Sequence, residues 1–175
     1  MRTTISPDAL EQNWKKRFPG LAPDHLSIAH ALEEKCFELE GHEFRVIDLG
    51  HTDTDDTTGL YVPSLDLMIA GDAVYNETHP FLVETDKMGR QRWLAALDRI
   101  AVLAPKDVIV GHGPLEPDNR SDHIEATRKY ILDFDRIDSQ TCSAREMYDQ
   151  MLELYPRRIN PGSLWGSAVN AKGGG

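Results

Sequence analysis

Residues Leu49–Asn76 have the sequence LGHTDTDDTTGLYVPSLDLMIAGDAVYN, and this stretch decides the fold. Its segments TTGLYVP and LDLMIAGD predict two β-strands joined through Pro63-Ser64. The second is apolar on both faces, as expected for a strand that is covered on both sides. His51 and Asp72 each follow a glycine near a strand end. Because glycine lets the backbone bend sharply, we expect both side chains to project over the edge of the sheet.

Further elements are predicted on both sides of this stretch. ISPDALEQNWKKRF predicts a helix, with Ser6 as N-cap, Pro7 at the first helical position and an apolar residue every fourth position. CFELEGHEFRVIDLG alternates apolar and polar residues around Gly41, which predicts a hairpin. RQRWLAALDRIAVLAP predicts a helix that Pro105 ends, and DVIVGHG predicts a short buried strand.

The last third of the chain predicts two more amphipathic helices, DHIEATRKYILDFDRI and SAREMYDQMLELYP. The second begins with a capping box of Ser143 and Glu146. The tail RRINPGSLWGSAVNAKGGG is expected to be irregular, with residues 169–175 frayed. The predicted fold is therefore α/β (α+β): a single domain, 1–175, with one mixed β-sheet layered with helices.

Composition excludes several classes of protein. The chain has 175 residues, of which 40% are apolar, and a formal net charge of −10. This charge argues against binding to nucleic acid or to an anionic membrane surface. No apolar run reaches the roughly 18 residues of a membrane span, and the N-terminus lacks the apolar core of a signal peptide. Because Cys36 and Cys142 lie in no CxxC motif, we expect a cytoplasmic protein with reduced thiols.

His112, in VGHG, is the third polar residue in the same local setting as His51 and Asp72. His51, Asp72 and His112 each follow a glycine near a strand end. Imidazole and carboxylate are ligands that zinc, iron and manganese accept. The three residues therefore predict a common site at one edge of the sheet. The neighbouring aspartates Asp53, Asp55 and Asp56 are interpreted as a solvated turn that caps backbone amides.

GHTDTDDTTGLYVPSLDLMIAGDAVYN followed by VIVGHG resembles the second half of the metallo-β-lactamase superfamily. GDAVYNETHPFLVE and YPRRINPGSLWGSA resemble a subgroup of hydrolases within it, so that the resemblance covers about residues 10–168. It implies that His51 binds a first metal, that Asp72 bridges two metals and that His112 binds the second. It also implies a truncated metallo-β-lactamase-like fold, half of the usual αββα sandwich.

The defining His-x-His-x-Asp-His motif of that superfamily is absent from the sequence. The other histidines, none with this spacing, are His25, His30, His42, His79 and His123. Without the motif, each metal position keeps roughly two protein ligands, fewer than the three or four that hold catalytic zinc. We therefore predict that no cofactor is required or that zinc binds weakly at His51, Asp72 and His112.

The three residues remain an acid–base set without a metal, because histidine titrates near neutral pH and a carboxylate can orient it. Tyr75 and His79 are expected beside them, on the loop that follows. No Gly-x-Ser-x-Gly motif supports a covalent nucleophile. Relatives of the fold imply acyl substrates: esters, thioesters, lactones or polyketide-type chains.

Four hypotheses follow. The chain is a cyclase or hydrolase of acyl substrates that needs little or no metal, a zinc metallohydrolase completed by a partner chain, a non-catalytic binding module, or a truncated gene product.

A single sheet with helices on one side would leave a broad apolar face, which is rare on monomers. We therefore predict a homodimer in which sheet packs on sheet.

Overall fold

The computed structural model describes residues 7–26, 32–115 and 118–173 of the chain. The chain divides into two compact units, residues 1–34 and residues 35–175. In the described parts, no helix is long and apolar enough to cross a membrane.

The first unit contains a helical segment over residues 7–17, here called α1. It consists of α-helical Pro7–Ala9, a π-helical stretch Leu10–Trp14 and α-helical Lys15–Arg17. The predicted helix is therefore confirmed, with one π-helical stretch that its sequence did not indicate. The expected N-cap, Ser6, and His30 lie outside the described residues, and His25 is exposed in an irregular segment.

The second unit is built on one five-stranded mixed sheet. Its strands are β1 (Cys36–Leu39), β2 (His42–Gly50), β3 (Thr57–Val62), β4 (Leu67–Tyr75) and β5 (Asp107–His112). They lie in the order β1-β2-β3-β4-β5. Neighbouring strands are antiparallel except β4 and β5, which are parallel. The hairpin predicted around Gly41 is confirmed: Glu40 and Gly41 both have positive φ, 52° and 80°, as a tight two-residue hairpin turn requires.

Among the described residues of this unit, four α-helices accompany the sheet, α2 (Lys87–Val102), α3 (His123–Gln140), α4 (Ala144–Leu154) and α5 (Pro161–Ala171), and a short 3-10 helix, Pro63–Leu65, joins β3 to β4. Helix α2 packs on β2 and β4, α3 packs on β4 and α2, and α4 packs on α3 and α5. The fully buried Trp93 of α2 anchors this layer, since its indole N–H donates to the carbonyl of Ala73 at 2.8 Å. The predicted N-cap is present, since the Ser143 hydroxyl accepts from the Glu146 amide at 3.2 Å, but the Glu146 carboxylate accepts from the Cys142 amide at 2.9 Å and does not close the capping box on Ser143.

The tail is helical, contrary to the prediction that it is irregular. Helix α5 begins with Pro161, whose fixed φ suits the first helical position, and it continues to Ala171. Residues 169–171, expected to be frayed, are therefore part of the helix. Leu164 and Ala168, four residues apart, are buried against the rest of the unit. This burial compensates for the low helix propensity of a segment rich in glycine and serine.

A row of aliphatic side chains crosses the sheet on the face opposite to Met68. Val46 lies beside Leu60, Leu60 beside Ile69 and Ile69 beside Ile109, at matched positions in four strands. The first three are partly buried, and Ile109 is 38% exposed. By contrast, Met68, next to Ile69 in β4, is fully buried in the core under the helices. The two faces of the sheet are thus covered to different extents.

Candidate active site

The parallel pairing of β4 and β5 brings two of the predicted residues together. Tyr75 lies opposite His112 in the ladder, and the register shifts between Ile69 and Tyr75, around Gly71, whose φ is 55°. This irregularity places Asp72 beside the end of β5. Its Oδ1 lies 2.6 Å from Nδ1 of His112. Because a carboxylate only accepts hydrogen bonds, Nδ1 carries the proton and Nε2 is left with a free lone pair.

Gly111 makes this approach possible. A Cβ at position 111 would lie 1.9 Å from Oδ1 of Asp72, 2.9 Å from its Cγ and 3.0 Å from its backbone nitrogen. Such separations are far inside contact distance, so only glycine allows the carboxylate to lie against β5. The glycine before His112 therefore positions Asp72, a role more specific than the general flexibility from which the sequence analysis argued.

Tyr75 supports His112 by ring stacking. The two rings are stacked with their centroids 5.6 Å apart and 7° between their planes. Tyr75 is almost fully buried, and its backbone amide donates to the Thr127 hydroxyl at 3.0 Å. Burial, with the nearby charges of Asp72 and Asp53, raises the pKa of the Tyr75 phenol. The phenol therefore stays neutral at physiological pH, and its ring fixes the plane of the imidazole.

His79 lies in the loop after β4 and is fully buried. Its Nδ1 is 2.8 Å from the Tyr130 hydroxyl, and its Nε2 has no hydrogen-bond partner among the described residues. Burial, helped by the charge of Arg158, lowers the pKa of His79 from 6.5 to about 4. His79 is therefore a neutral imidazole with one unused polar atom.

Asp53 is a site residue that the sequence analysis assigned wrongly. Its side chain is buried, only 9% exposed, and it accepts a hydrogen bond from the Thr52 hydroxyl at 2.9 Å. Burial raises the pKa of Asp53, and the negative charge of Asp72 raises it further. The interpretation as a solvated turn suits the exposed Asp55 and Asp56 but not Asp53.

These side chains surround one cavity of about 470 Å³. The five lining residues that carry titratable groups are Asp53, Asp72, Tyr75, His79 and His112. The start of α5 closes another part of the wall with Asn160, Gly162 and Ser163. This contribution was not predicted, because the tail was expected to be irregular. An Asn-Pro pair before a periodic apolar segment was the signal for a helix start there.

His51 is placed differently from the other four predicted residues. Its Nδ1 lies 2.7 Å from the exposed Asp55 carboxylate. Its buried Nε2 lacks a hydrogen-bond partner within the described ranges and packs against Gly89 in the first turn of α2, where a Cβ would lie 2.6 Å away. His51 is not among the residues that line the cavity. The structure thus brings Asp72, Tyr75, His79 and His112 together around one cavity and leaves His51 in contact with Asp55 and α2.

Comparison with known proteins identifies the family to which this chain belongs. The sequence model of the metallo-β-lactamase superfamily matches residues 4–112. The chain therefore belongs to the metallo-β-lactamase superfamily, a superfamily of hydrolase type. A search of curated proteins finds no match.

Two solved structures show the same fold. A metallo-β-lactamase family protein from Thermus thermophilus is similar with a TM-score of 0.57 and 20% identity, over 84% of this chain and 48% of that chain. A β-lactamase domain protein from Burkholderia ambifaria is similar with a TM-score of 0.56 and 17% identity, over 94% of this chain and 49% of that one. This chain thus spans about half the length of each.

Members of this superfamily usually bind zinc, so the residues present must be tested against that requirement. Asp72 and His112 are hydrogen-bonded to each other, and His51 is hydrogen-bonded to Asp55 and does not line the cavity. Across residues 7–26, 32–115 and 118–173, no group of three or more His, Cys, Asp or Glu side chains is arranged to hold a metal ion. In this arrangement these residues do not fit the superfamily's metal centre.

Proposed function

We propose that the chain is an enzyme that acts on acyl substrates through acid–base chemistry at Asp72 and His112. The substrate class is an ester, thioester, lactone or polyketide-type chain, and the reaction is hydrolysis or ring closure to a lactone. The observation that carries the proposal is the 2.6 Å pair of Asp72 and His112 at a cavity of about 470 Å³. Such a cavity is within the range of small-molecule sites.

The pair can take a proton from the attacking oxygen and later return it to the leaving atom. Nε2 of His112 takes the proton from a water molecule in hydrolysis, or from the substrate's own hydroxyl in ring closure. The oxygen forms a bond to the acyl carbon, the bond from that carbon to the leaving oxygen or sulfur breaks, and the imidazolium returns its proton to the leaving atom. Asp72 holds the imidazole in the required tautomer and stabilises its cation. Tyr75 keeps the ring in place, and His79 offers a neutral polar atom in the cavity wall.

Substitution of the pair tests this proposal. Turnover of a panel of thioesters and lactones should fall roughly a hundredfold or more in Asp72→Asn and in His112→Ala, as expected for loss of a general base. His42→Ala is the matched control, because His42 is an exposed histidine in β2 whose ring is hydrogen-bonded to the Ser64 hydroxyl and which does not line the cavity. Equal activity of His112→Ala and His42→Ala would reject the proposal. Assays in a metal chelator should leave turnover unchanged, since no metal takes part in the proposed proton transfers.

A zinc metallohydrolase completed by a partner chain is the second candidate. It is favoured by membership of a zinc-binding superfamily together with the coverage of about half of each related structure. In this case a chelator would abolish turnover and zinc would restore it. The incomplete metal site of this chain would then be completed by ligands from a neighbouring molecule.

Assembly as a homodimer is part of the proposal. The row of Val46, Leu60, Ile69 and Ile109 presents partly exposed aliphatic side chains across four strands. Packing of this face on the same face of a second copy would give a two-fold interface between sheets. The row is self-complementary in that arrangement because it consists of side chains of one kind.

A cytoplasmic location is likewise proposed. Cys36 and Cys142 are both exposed and unpaired. Exposed free thiols persist in a reducing compartment, whereas secreted domains of this size use cysteines in disulfides. The net charge of −10 supports a small-molecule substrate over nucleic acid or an anionic lipid surface.

A further inference from the structure

A second cavity has a volume of about 230 Å³. Its wall is formed by Glu77, by Ala126 and Lys129 of α3, and by the segment from Leu154 to Arg158. We call it the basic cavity, because three of its lining residues are cations, Lys129, Arg157 and Arg158, and one is an anion, Glu77. Its positive charge contrasts with the net charge of −10 of the whole chain.

Arg158 is the buried cation of this cavity. It is only 9% exposed, and its guanidinium donates to the carbonyl of Thr78 at 2.6 Å and to that of Ala126 at 3.3 Å. The rings of Tyr130 and Tyr155 lie 4.8 and 5.2 Å from it. Within the described part of the chain, Arg158 forms no ion pair with a carboxylate. Burial lowers the pKa of Arg158, and the nearby Tyr130, Tyr155 and Glu77 oppose this shift only in part, which reflects the cost of a buried charge.

The other two cations, Arg157 and Lys129, lie at the rim of the cavity and differ in the partners of their charged groups. Arg157 is exposed and forms no hydrogen bond or ion pair with any described residue, so its guanidinium is available to a ligand. Lys129 pairs with Asp133 and lies 5.6 Å from the ring of Tyr155. Lys129 is 65% exposed, which lets its flexible side chain turn from Asp133 to a ligand.

We propose that the basic cavity is an anion site that binds a phosphate group, either free or carried by a small organic molecule. Guanidinium groups donate in a fixed fork that matches phosphate oxygens, and a lysine ammonium adds a charge from another direction. A phosphate dianion offers more acceptor oxygens than a carboxylate and neutralises more than one of the three cations. At about 30 Å³ for each water, the cavity has room for such a group.

The basic cavity shares a wall with the candidate active site but is separate from it. The carbonyl of Thr78 accepts a hydrogen bond from Arg158, and Thr78 forms a β-bridge with Ile159. His79, which follows Thr78, donates its backbone amide to the Ile159 carbonyl at 3.0 Å. The Tyr130 hydroxyl contacts His79 while its ring lies under Arg158. An anion bound to Arg158 is therefore separated from His79 by the side chains of Arg158 and Tyr130. The proposal does not depend on the acyl chemistry at Asp72 and His112.

Calorimetric titration with inorganic phosphate tests the proposal on the full chain. We expect one phosphate per chain, and at least about tenfold weaker binding in Arg157→Gln and in Lys129→Gln, because each removes a charged hydrogen-bond donor. Arg92→Gln is the matched control: Arg92 is an exposed arginine of α2 and does not line the cavity. These rim variants are chosen in preference to Arg158, whose loss would disturb the buried contacts with Thr78 and Ala126.

Three further titrations complete the experiment. Sodium chloride at matched ionic strength should give no saturable heat, and acetate should bind at least about tenfold more weakly than phosphate. Glycerol 3-phosphate distinguishes the two sources of phosphate: tighter binding than inorganic phosphate indicates an organic phosphate ester, and equal binding indicates the free ion. Equal phosphate affinity in wild type, Arg157→Gln and Lys129→Gln, or no saturable binding to wild type, would overturn the proposal.

Discussion

Replacement of Gly111 by alanine tests whether the pair of Asp72 and His112 is the working part of the site. The new Cβ would lie 1.9 Å from Oδ1 and 2.9 Å from Cγ of Asp72, so the carboxylate must turn away from β5. The 2.6 Å bond to Nδ1 of His112 is then lost. We expect kcat to fall roughly a hundredfold or more, with little change in KM, because the general base loses its orientation while the cavity keeps its shape.

The effect of Gly111→Ala on stability should be small by comparison. The side chains of Asp72 and His112 are 36% and 54% exposed, so water competes for their interaction. The loss of such an exposed pair costs about 1 kcal/mol or less of the free energy of unfolding. Urea unfolding, measured beside the turnover assay, separates the two effects. A loss of several kcal/mol would show that the substitution disturbs more of the structure than the pair.

Gly113→Ala is the matched control for this experiment. A Cβ at position 113 would meet its nearest neighbours, on Asn76 and Val110, at 3.5 Å or more, which is ordinary contact. Gly113→Ala should therefore retain activity. The double variant Gly111→Ala/Asp72→Asn should be no slower than the slower single variant, since both changes remove the same interaction. Full activity of Gly111→Ala, or additive losses in the double variant, would refute the role assigned to the pair.

Three other predictions concern pH, metal and assembly. Because the pKa of His79 falls from 6.5 unfolded to about 4 folded, its contribution to stability is complete above pH 6.5 and declines as the pH falls toward 4. The free energy of unfolding in urea should drop by about 2–3 kcal/mol more in wild type than in His79→Gln between pH 7.5 and 4.5, and equal slopes would contradict this. Elemental analysis should find less than one zinc per chain, whereas two tightly held metal ions would contradict the proposed weak site. Light scattering should give twice the chain mass of 19.7 kDa at micromolar concentration, and Ile109→Glu should halve it; a wild-type monomer would reject the dimer.

Most of the fold was predictable because its elements have strong hydrophobic periodicity. The stripe of Trp93, Leu97 and Ile100 identified α2, and all three side chains are fully buried. Helix α5 was missed because its glycines and serines have a low helix propensity, although Asn160-Pro161 marks its start, and tertiary contacts stabilise it as a helix. At Gly166, for example, a Cβ would lie only 3.1 Å from Val83, so the helix approaches the preceding loop closely. Such contacts between distant segments cannot be read from local sequence.

The candidate site was predictable where a glycine fixes the geometry, as at Asp72 and His112. The loop from β2 to β3 was not predictable in this way. Its register shifts between Asp48 and Gly50, and Gly50 has a φ of 72°. A bulge of this kind breaks the alternation of side chains, so the sequence does not indicate which residues of the loop face the cavity. Asp53 lines the cavity, while the more conspicuous His51 does not.

Metal content and assembly are most informative when they are measured together, because they connect the two candidate functions to one surface. If a partner chain supplies the missing ligands, the dimer must form before zinc binds, so Ile109→Glu should abolish both zinc binding and chelator-sensitive turnover. If Asp72 and His112 act without a metal, Ile109→Glu should dissociate the dimer but leave turnover per chain unchanged. The same substitution therefore separates the two functions, since Ile109 lies on the partly exposed face of the sheet and does not line the cavity.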